Sequence, residues 1–321
     1  MIANILIHLA AGCASALMFG SIVSGAMVAV LLFYLAPLPL MVAALGWGSG
    51  GAAIGGLAAA LALGTIFGLP YLAVFLVTIA LPAWWLGRLA MLGRAAPLAM
   101  SPAGVPSTLE WYPIDRIILW IAGLATLTTV VTLFTVGGDS TSITEGLRNS
   151  LTKVLSESSS APRGDIEQLA TALAVVAPSA AAVMAMMTLT VNLWLAGKIT
   201  AMSGRLQRPW PDLNAVSLTP MTLAALSLAV AISFIDSLPG IVGRAATATL
   251  MMAYALQGLA TLHTLTQGSR NRTFILGSSY ALCMVFGWPI LLAVAFGIAE
   301  ALFGFRRRFA RQPPPRAAND D

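Results

Sequence analysis

The stretch PLPLMVAALGWGSGGAAIGGLAAALALGTIFGLP, from Pro37 to Pro70, decides the fold of this chain. It carries no charged residue and contains eight glycines. In a water-exposed helix each glycine would cost about 1 kcal/mol relative to alanine. In hydrocarbon, helix association depends instead on backbones that approach closely. The stretch therefore predicts a central membrane helix with tightly packed neighbours; the alternative is a Gly-rich hydrophobic span with no special packing role.

Small residues at helical spacing indicate which faces make these contacts. Gly51 and Gly55 form a GxxxG step within the central stretch. In the preceding apolar block small residues recur at every fourth position, at Gly12, Ala16, Gly20 and Ser24. The pattern predicts that the first helix packs against the central one through Gly12 and Gly20 on one side and Gly51 and Gly55 on the other.

Composition extends this interpretation to the whole chain. Hydrophobic residues make up 58% of the sequence and charged residues only 9%, whereas a soluble domain carries about 25% charged residues. Uncharged runs at residues 1–87 and 168–197 exceed the roughly 20 residues that span a bilayer. Since backbone groups in lipid must be satisfied internally, such runs form helices. We predict an all-α, polytopic membrane domain over residues 1–304, with eight or nine helical membrane segments.

Two segments differ from this pattern. Residues 137–167 form the one substantial polar segment, in which Ile143, Leu147, Leu151 and Leu155 recur every four residues. This periodicity predicts an amphipathic helix that lies along the membrane surface or on another part of the protein. Residues 305–321 are basic and rich in proline and are predicted to form a disordered tail.

Glycine and proline predict three interruptions of the helices. Residues 5–35 are too long for one perpendicular span, so we expect a break near Gly20 to Gly25. Pro37 and Pro39 are expected to turn the chain, because proline interrupts helical hydrogen bonding. The last apolar run is interrupted at Gly287 to Pro289.

Basic residues predict the orientation. They flank residues 88–116, 197–210 and 267–273 and recur in the tail, and such clusters normally lie in the cytoplasm. The charges of residues 137–167 sum to −2, which favours the outer side. If all four basic regions are cytoplasmic, the last run must enter the membrane and return; if it crosses once, one basic loop lies on the other side.

No motif indicates catalysis. HExxH, GxxxxGK[ST] and paired CxxC are absent from the sequence. The sequence therefore gives no support for a metalloprotease, a nucleotide-hydrolysing enzyme or a zinc ribbon. Neither His8 nor His263 has an acidic partner nearby in sequence. We therefore expect no catalytic residue, metal ligand or cofactor, and no nucleic-acid partner. Cys13 and Cys283 lie in apolar runs and are expected to be buried free thiols.

A few polar residues interrupt the apolar runs. Asn192 lies in the middle of one predicted helix, and Gln257 and Thr261 share a face of another. Because buried polar groups in membranes are costly and often mark ligand sites, all three are candidate ligand-binding residues. The alternative for Asn192 and Gln257 is hydrogen bonding between helices. Glu300 is expected to pair with a nearby arginine such as Arg306.

Three segments together resemble the YybS-like family of bacterial polytopic membrane proteins: PLPLMVAALGWGSGGAAIGG (Pro37–Gly56), LQGLATLH (Leu256–His263) and GIAEALFGFRRR (Gly297–Arg308). The family's acidic residue before an aromatic–arginine pair is matched by Glu300, Phe305 and Arg306. Such proteins look like distant relatives of the S components of energy-coupling-factor transporters. Because the family has no assigned activity, the resemblance implies a fold and a location in the bacterial cytoplasmic (inner) membrane.

Two functions follow as hypotheses. The S-component likeness implies a subunit that binds a small solute or takes part in its transport. Such a subunit would need an ATPase partner, because this chain has no nucleotide-binding motif. The alternative is a membrane scaffold for cell-envelope or division machinery, which would bind other membrane proteins. An intramembrane enzyme has the least support, because no acid, base and nucleophile converge.

Overall fold

The computed structural model describes residues 2–95, 109–158 and 161–306. Within this part the chain forms thirteen α-helices: α1 Ile2–Gly20, α2 Met27–Leu35, α3 Pro37–Trp47, α4 Ser49–Phe67, α5 Leu69–Phe75, α6 Leu81–Ala90, α7 Ile114–Phe134, α8 Ser140–Ser158, α9 Arg163–Met202, α10 Pro220–Ser233, α11 Leu238–Leu265, α12 Arg272–Phe286 and α13 Ile290–Phe303. Two short strands, β1 Gly93–Ala95 and β2 Leu109–Trp111, pair antiparallel. A π-helical turn at Leu76–Ala80 joins α5 to α6.

The predicted helical, multi-span architecture is confirmed. Among the described residues, seven helical stretches are long and apolar enough to cross a membrane: Ala3–Ser24, Met27–Trp47, Ser49–Phe67, Leu69–Ala90, Ile114–Phe134, Arg163–Met202 and Leu238–Leu265. Helices α10, α12 and α13 are apolar but shorter. From residue 307 onward, the predicted disordered tail lies outside the described residues.

The chain divides into two compact units. The first comprises Met1–Pro211 and Ala229–Thr249, and the second comprises Asp212–Leu228 and Leu250–Asp321. Helices α10 and α11 therefore contribute residues to both units.

In the first unit, α1 and α4 cross with their backbones in contact. A Cβ on Gly12 would overlap the carbonyl oxygen of Gly55, and a Cβ on Gly55 would overlap the carbonyl oxygen of His8. A Cβ on Gly51 would overlap the imidazole ring of His8. Three of the four glycines predicted to make this contact, Gly12, Gly51 and Gly55, therefore lie in the crossing. Gly20 has no neighbouring atom within 4 Å of such a Cβ, so the contact expected there is not present.

The central stretch is not one helix, contrary to the prediction. It breaks at Gly48, whose φ of +111° is accessible to glycine and rarely to other residues. Nor do Pro37 and Pro39 turn the chain. They lie in the first turn of α3, a position that accommodates proline. Ala36 itself has helical dihedral angles, so α2 and α3 together form one span.

The other two interruptions lie where the sequence predicts them. Gly25, with φ +67°, separates α1 and its 3-10 extension from α2. Gly287, with φ +70°, separates α12 from α13. The expected burial of the cysteines is wrong, since Cys13 is exposed and Cys283 is half-buried, although both are free thiols. In a lipid-embedded helix an apolar side chain can face outward, so apolarity alone does not predict burial within the protein.

The predicted amphipathic helix is α8, and it packs on another part of the protein. Ile143 is buried in a cluster with Leu133 at the end of α7 and Ile241 at the start of α11. Leu147 and Leu238 pack against this cluster. The apolar face that spacing predicts is therefore covered at its N-terminal end by protein.

The opposite end of α7 lies where α3, α6 and α9 end. Arg208 donates hydrogen bonds to the carbonyl oxygens of Ala90, at the end of α6, and Tyr112, just before α7. Arg205 lies over the ring of Trp47, the last residue of α3. Six tryptophans lie in this region of the first unit, in contact with one another or with Lys198 and Arg205. We call the region the tryptophan-rich end: Trp47, Trp84, Trp85, Trp120, Trp194 and Trp210.

Candidate functional site

Gln257 bridges three segments of the second unit. Its side chain is fully buried. Its Oε1 accepts a hydrogen bond from the backbone N–H of Leu218 at 2.8 Å, and its Nε2 donates to the carbonyl oxygen of Gly297 at 3.1 Å. Leu218 lies two residues before α10 and is buried, so its backbone N–H needs a partner from outside the helix. The amide of Gln257 supplies such a partner from α11.

Thr261 lies one turn further along α11 and is also fully buried. Its Oγ1 donates to the carbonyl oxygen of Gln257 at 2.9 Å, a bond within the helix itself. Thr264, on the next turn, donates to Ala260 at 3.0 Å and approaches the carbonyl oxygen of Asn214 at 3.4 Å. Gln257 and Thr261 thus share a face, and the structure shows their hydrogen bonds going to the main chain.

A close crossing of α11 and α13 allows Gln257 to reach Gly297. A Cβ on Gly258 would overlap the carbonyl oxygen of Ala293, and a Cβ on Gly297 would overlap that of Tyr254. Sequence reasoning did not single out either glycine as a contact point. Each is an isolated glycine on an apolar helix, and only their pairing across the crossing reveals their role.

Glu300 and Arg306 form the expected ion pair. Arg306 Nε lies 3.0 Å from Glu300 Oε1, and the two side chains are 11% and 5% exposed. Gly304, with φ +62°, ends α13 in a left-handed conformation, which turns the chain so that Arg306 folds back onto Glu300. The guanidinium also donates to the carbonyl oxygens of Asn214 and Val216, at 2.5 and 2.6 Å.

These contacts converge on one stretch of backbone, Asn214–Leu218, which leads into α10. Arg306 holds its first part, Gln257 holds its last residue, and Glu300 neutralises the arginine that makes the contact. We call Gln257, Glu300, Arg306 and the segment Asn214–Leu218 the anchoring cluster. The carboxylate is paired and the amide has partners at both ends, so the cluster presents no unpaired acid or base for chemistry.

Asn192 belongs to the first unit. Its Nδ2 donates to the carbonyl oxygens of Tyr34 at 2.8 Å and Thr188 at 2.7 Å. Tyr34 lies in the last turn of α2, next to carbonyl groups for which Pro37 and Pro39 supply no N–H donor. Asn192 therefore joins α9 to an interrupted part of the α2–α3 span.

Seven buried side-chain nitrogen or oxygen atoms have no hydrogen-bond partner within the described part of the chain; two of them are Oδ1 of Asn192, a candidate residue in the first unit, and the hydroxyl of Tyr254, on the same helix as Gln257 in the second. Most buried polar atoms in folded proteins have a partner, so each of these atoms needs an explanation. Residues 2–95, 109–158 and 161–306 contain no cluster of three or more His, Cys, Asp or Glu side chains.

No protein family, characterised protein or solved structure was found to match this chain.

Proposed function

We propose that this chain is a membrane scaffold: a non-catalytic, multi-pass protein of the bacterial cytoplasmic membrane that binds other proteins of the cell envelope. The observation that carries the proposal is the hydrogen bonding of Gln257. Both ends of its amide bind backbone groups, and these bonds hold α10, α11 and α13 together. A side chain used in this way stabilises the helices and is not free to recognise a solute.

The anchoring cluster also suits a docking role. Arg306 is fixed by Glu300 and by two carbonyl groups, and the chain continues from it into the basic, proline-rich residues 307–321. These residues offer a basic, proline-rich sequence that a partner protein can bind. Helix α8, with its polar face exposed, offers a second surface.

Charge supports an orientation for this scaffold. The tryptophan-rich end carries Arg88, Lys198, Arg205 and Arg208, and the α8 end carries more acidic than basic residues. By the positive-inside rule the first is cytoplasmic and the second is outside, with the C-terminal tail in the cytoplasm. Seven long spans, together with the short apolar helices α10, α12 and α13, allow the eight or nine membrane segments of the sequence-based prediction.

A second candidate is a small-solute-binding, transport-associated subunit like an S component. It is favoured by the buried, unpartnered Oδ1 of Asn192 and hydroxyl of Tyr254, since a bound neutral solute could supply the missing hydrogen bonds. In this role the solute would contact either Asn192 in the first unit or Gln257 and Thr261 in the second. An ATPase in another chain would supply the energy.

One substitution separates the two candidates. In the scaffold, Gln257→Leu removes two backbone hydrogen bonds, so it lowers thermal stability but leaves the phenotype of the cells unchanged. In a solute-binding subunit, the same variant is folded and abundant and yet reproduces the phenotype of deleting the gene. Gln267→Leu makes the same chemical change at an exposed residue after α11 and is the control.

Native mass spectrometry of the protein purified with its partners gives an independent measurement. The scaffold predicts a companion protein that stays bound to the Gln257→Leu variant. A bound small molecule that is lost from this variant, or a companion ATPase, would instead establish the transport-associated subunit.

A further inference from the structure

We propose that the tryptophan-rich end of the first unit binds the phosphate headgroup of an anionic phospholipid. The site consists of two cations, Lys198 and Arg205, and three aromatic rings, Trp47, Trp194 and Trp210. We call these five residues the headgroup site. The proposal rests on the proposed membrane location and cytoplasmic orientation of this end, and not on the choice between scaffold and transport subunit.

Each cation of the headgroup site lies over an indole ring. Lys198 Nζ lies 4.0 Å from the ring centroid of Trp210 and 5.9 Å from that of Trp194. The guanidinium carbon of Arg205 lies 4.7 Å from the ring centroid of Trp47. Tryptophan is the aromatic residue that attracts cations most strongly. These contacts fix the positions of two long side chains that would otherwise be mobile.

The backbone around the headgroup site is also held in place. Helix α9 ends at Met202, and Gly204, two residues later, has a φ of +66°; the N–H of Arg205 then donates to the carbonyl oxygen of Thr200 at 2.9 Å. Three residues later Arg208 binds the carbonyl oxygens of Ala90 and Tyr112. Burial lowers the pKa of the Arg208 guanidinium from its ordinary value, and the two carbonyl groups stabilise its charged form.

The segment from Arg205 to Arg208 is therefore held at both ends, and Trp210 follows only two residues after Arg208. The ring packs against α9 at Gly197, where an added Cβ would lie 3.5 Å from Trp210, an ordinary van der Waals contact. The position of Trp210, and with it that of Lys198, thus follows from the fold of residues 197–210.

The two cations have no carboxylate partner within the described part of the chain. The ion pairs there are Arg94–Glu110, Arg163–Glu167 and Arg306–Glu300. Lys198 and Arg205 are both exposed. Each therefore has an aromatic ring on one side and an accessible side that can take an anion.

The position along the helices identifies the anion as a lipid headgroup. Two membrane-spanning stretches end here, at Trp47 and at Met202. Tryptophan is enriched where a helix passes from hydrocarbon to headgroups. Lysine and arginine at the same depth attract anionic lipids of the cytoplasmic leaflet. A phosphodiester with a fatty-acid anchor fits this combination, because its acyl chains lie along the apolar helices while its phosphate meets the two cations.

The test is titration of the purified protein in neutral detergent with phosphatidylglycerol, measured as lipid adducts by native mass spectrometry. Each basic residue removed near a membrane surface should weaken binding about fivefold. The double variant Lys198→Gln/Arg205→Gln should therefore bind roughly 25-fold more weakly. The matched control, Arg148→Gln/Lys153→Gln on α8, removes the same charge from exposed residues and should bind like wild type.

A charge-preserving variant, a zwitterionic lipid and inorganic phosphate serve as further controls. The charge-preserving variant Lys198→Arg/Arg205→Lys should keep most of the binding, and phosphatidylcholine should bind wild type and variants equally. Equal binding of phosphatidylglycerol to the Gln double variant and wild type would overturn the proposal. So would equal weakening in the α8 control or the charge-preserving variant, or displacement of the lipid by inorganic phosphate at the same concentration, which would indicate a simple anion site.

Discussion

Glu300 and Arg306 form an ion pair that is almost completely removed from solvent, and the same arginine binds the backbone of Asn214 and Val216. The guanidinium has a carboxylate on one side and two carbonyl groups on the other. Arginine suits this role because its planar donors can bind several acceptors at fixed angles. The pair therefore connects the end of α13 to the segment that leads into α10.

Removing this arginine should be strongly destabilising. In Arg306→Met the carboxylate of Glu300 stays buried without a counterion, and breaking a buried pair costs about 3–5 kcal/mol. We expect a clear fall in the unfolding midpoint of the detergent-solubilised protein, and a smaller fall for Arg306→Lys, which keeps the charge but loses the planar donors. Arg270→Met changes an exposed arginine and is the control. Equal midpoints for Arg306→Met and Arg270→Met would contradict the role of the pair.

The crossing of α1 and α4 should tolerate no side chain at Gly55. In Gly55→Ala the added Cβ would overlap the carbonyl oxygen of His8, and forced overpacking costs about 1–3 kcal/mol. Gly123→Ala, in the middle of α7, adds the same atom where nothing lies within 4 Å and should not destabilise the protein. Gly55→Leu should also lower thermal stability more than Leu57→Ala, since Leu57 is 51% exposed. If Gly55→Ala is as stable as Gly123→Ala, the helices do not touch there.

The start of α8 should depend on pH. Asp139 accepts a hydrogen bond from the N–H of Ser142 at 2.8 Å, and the Ser142 hydroxyl accepts one from the N–H of Asp139 at 3.1 Å. Hydrogen bonds from the side chain and backbone of Ser142 lower the pKa of Asp139 from its ordinary value of 3.8. This group therefore contributes stability above that value, and the contribution is lost as the pH falls through the lower, folded-state pKa.

Asp139→Asn isolates this contribution, because asparagine also caps helices but does not titrate. We expect the difference in unfolding midpoint between wild type and Asp139→Asn to favour wild type more at pH 6 than at pH 2.5. Asp139→Ala should be the least stable of the three at pH 6. A difference between wild type and Asp139→Asn that is the same at both pH values would show that the carboxylate does not act through its charge.

The orientation can be measured at both ends of the chain. Ser158 is exposed at the end of α8, so a cysteine there should react with an impermeant thiol reagent in intact cells, or in spheroplasts if an outer membrane intervenes. The two native thiols, Cys13 and Cys283, are first replaced by alanine. A reporter that is active only in the cytoplasm, fused after Arg316, should be active. A protected cysteine or a silent reporter would reverse the proposed orientation.

The position of a helix and the face it uses for contact were predictable from the sequence where they depend on residues close together in the chain. The alternation of apolar and polar positions located α8, and the spacing of Gly51 and Gly55 located the face that contacts α1. The breaks at Gly48 and Gly68 were not predictable, because eight glycines share one apolar stretch and only the φ angles, +111° and +94°, distinguish the two that interrupt it. The sequence shows where a helix can break and not which permitted break is used.

The polar contacts show a different limit. Spacing correctly placed Gln257 and Thr261 on one face, but the partners of Gln257 lie 39 and 40 residues away along the chain. Only the crossing of α11 and α13 brings Gly297 within reach. The Glu300–Arg306 pair was predictable because the residues are neighbours across a single turn, whereas the binding of Arg306 to Asn214 and Val216 was not.

Helix α9, at 40 residues and roughly 60 Å, is about twice as long as the hydrocarbon core is thick. Asp165 and Glu167 lie in its first turns, Lys198 lies near its last residue, and Arg205 and Arg208 follow. A membrane potential that is negative on the side of these cations acts on each elementary charge with about 2.3 kcal/mol per 100 mV. In the proposed orientation, drawing either charged end of α9 across the hydrocarbon core works against this potential, so an energised membrane opposes displacement of the helix along the membrane normal more than a depolarised one does.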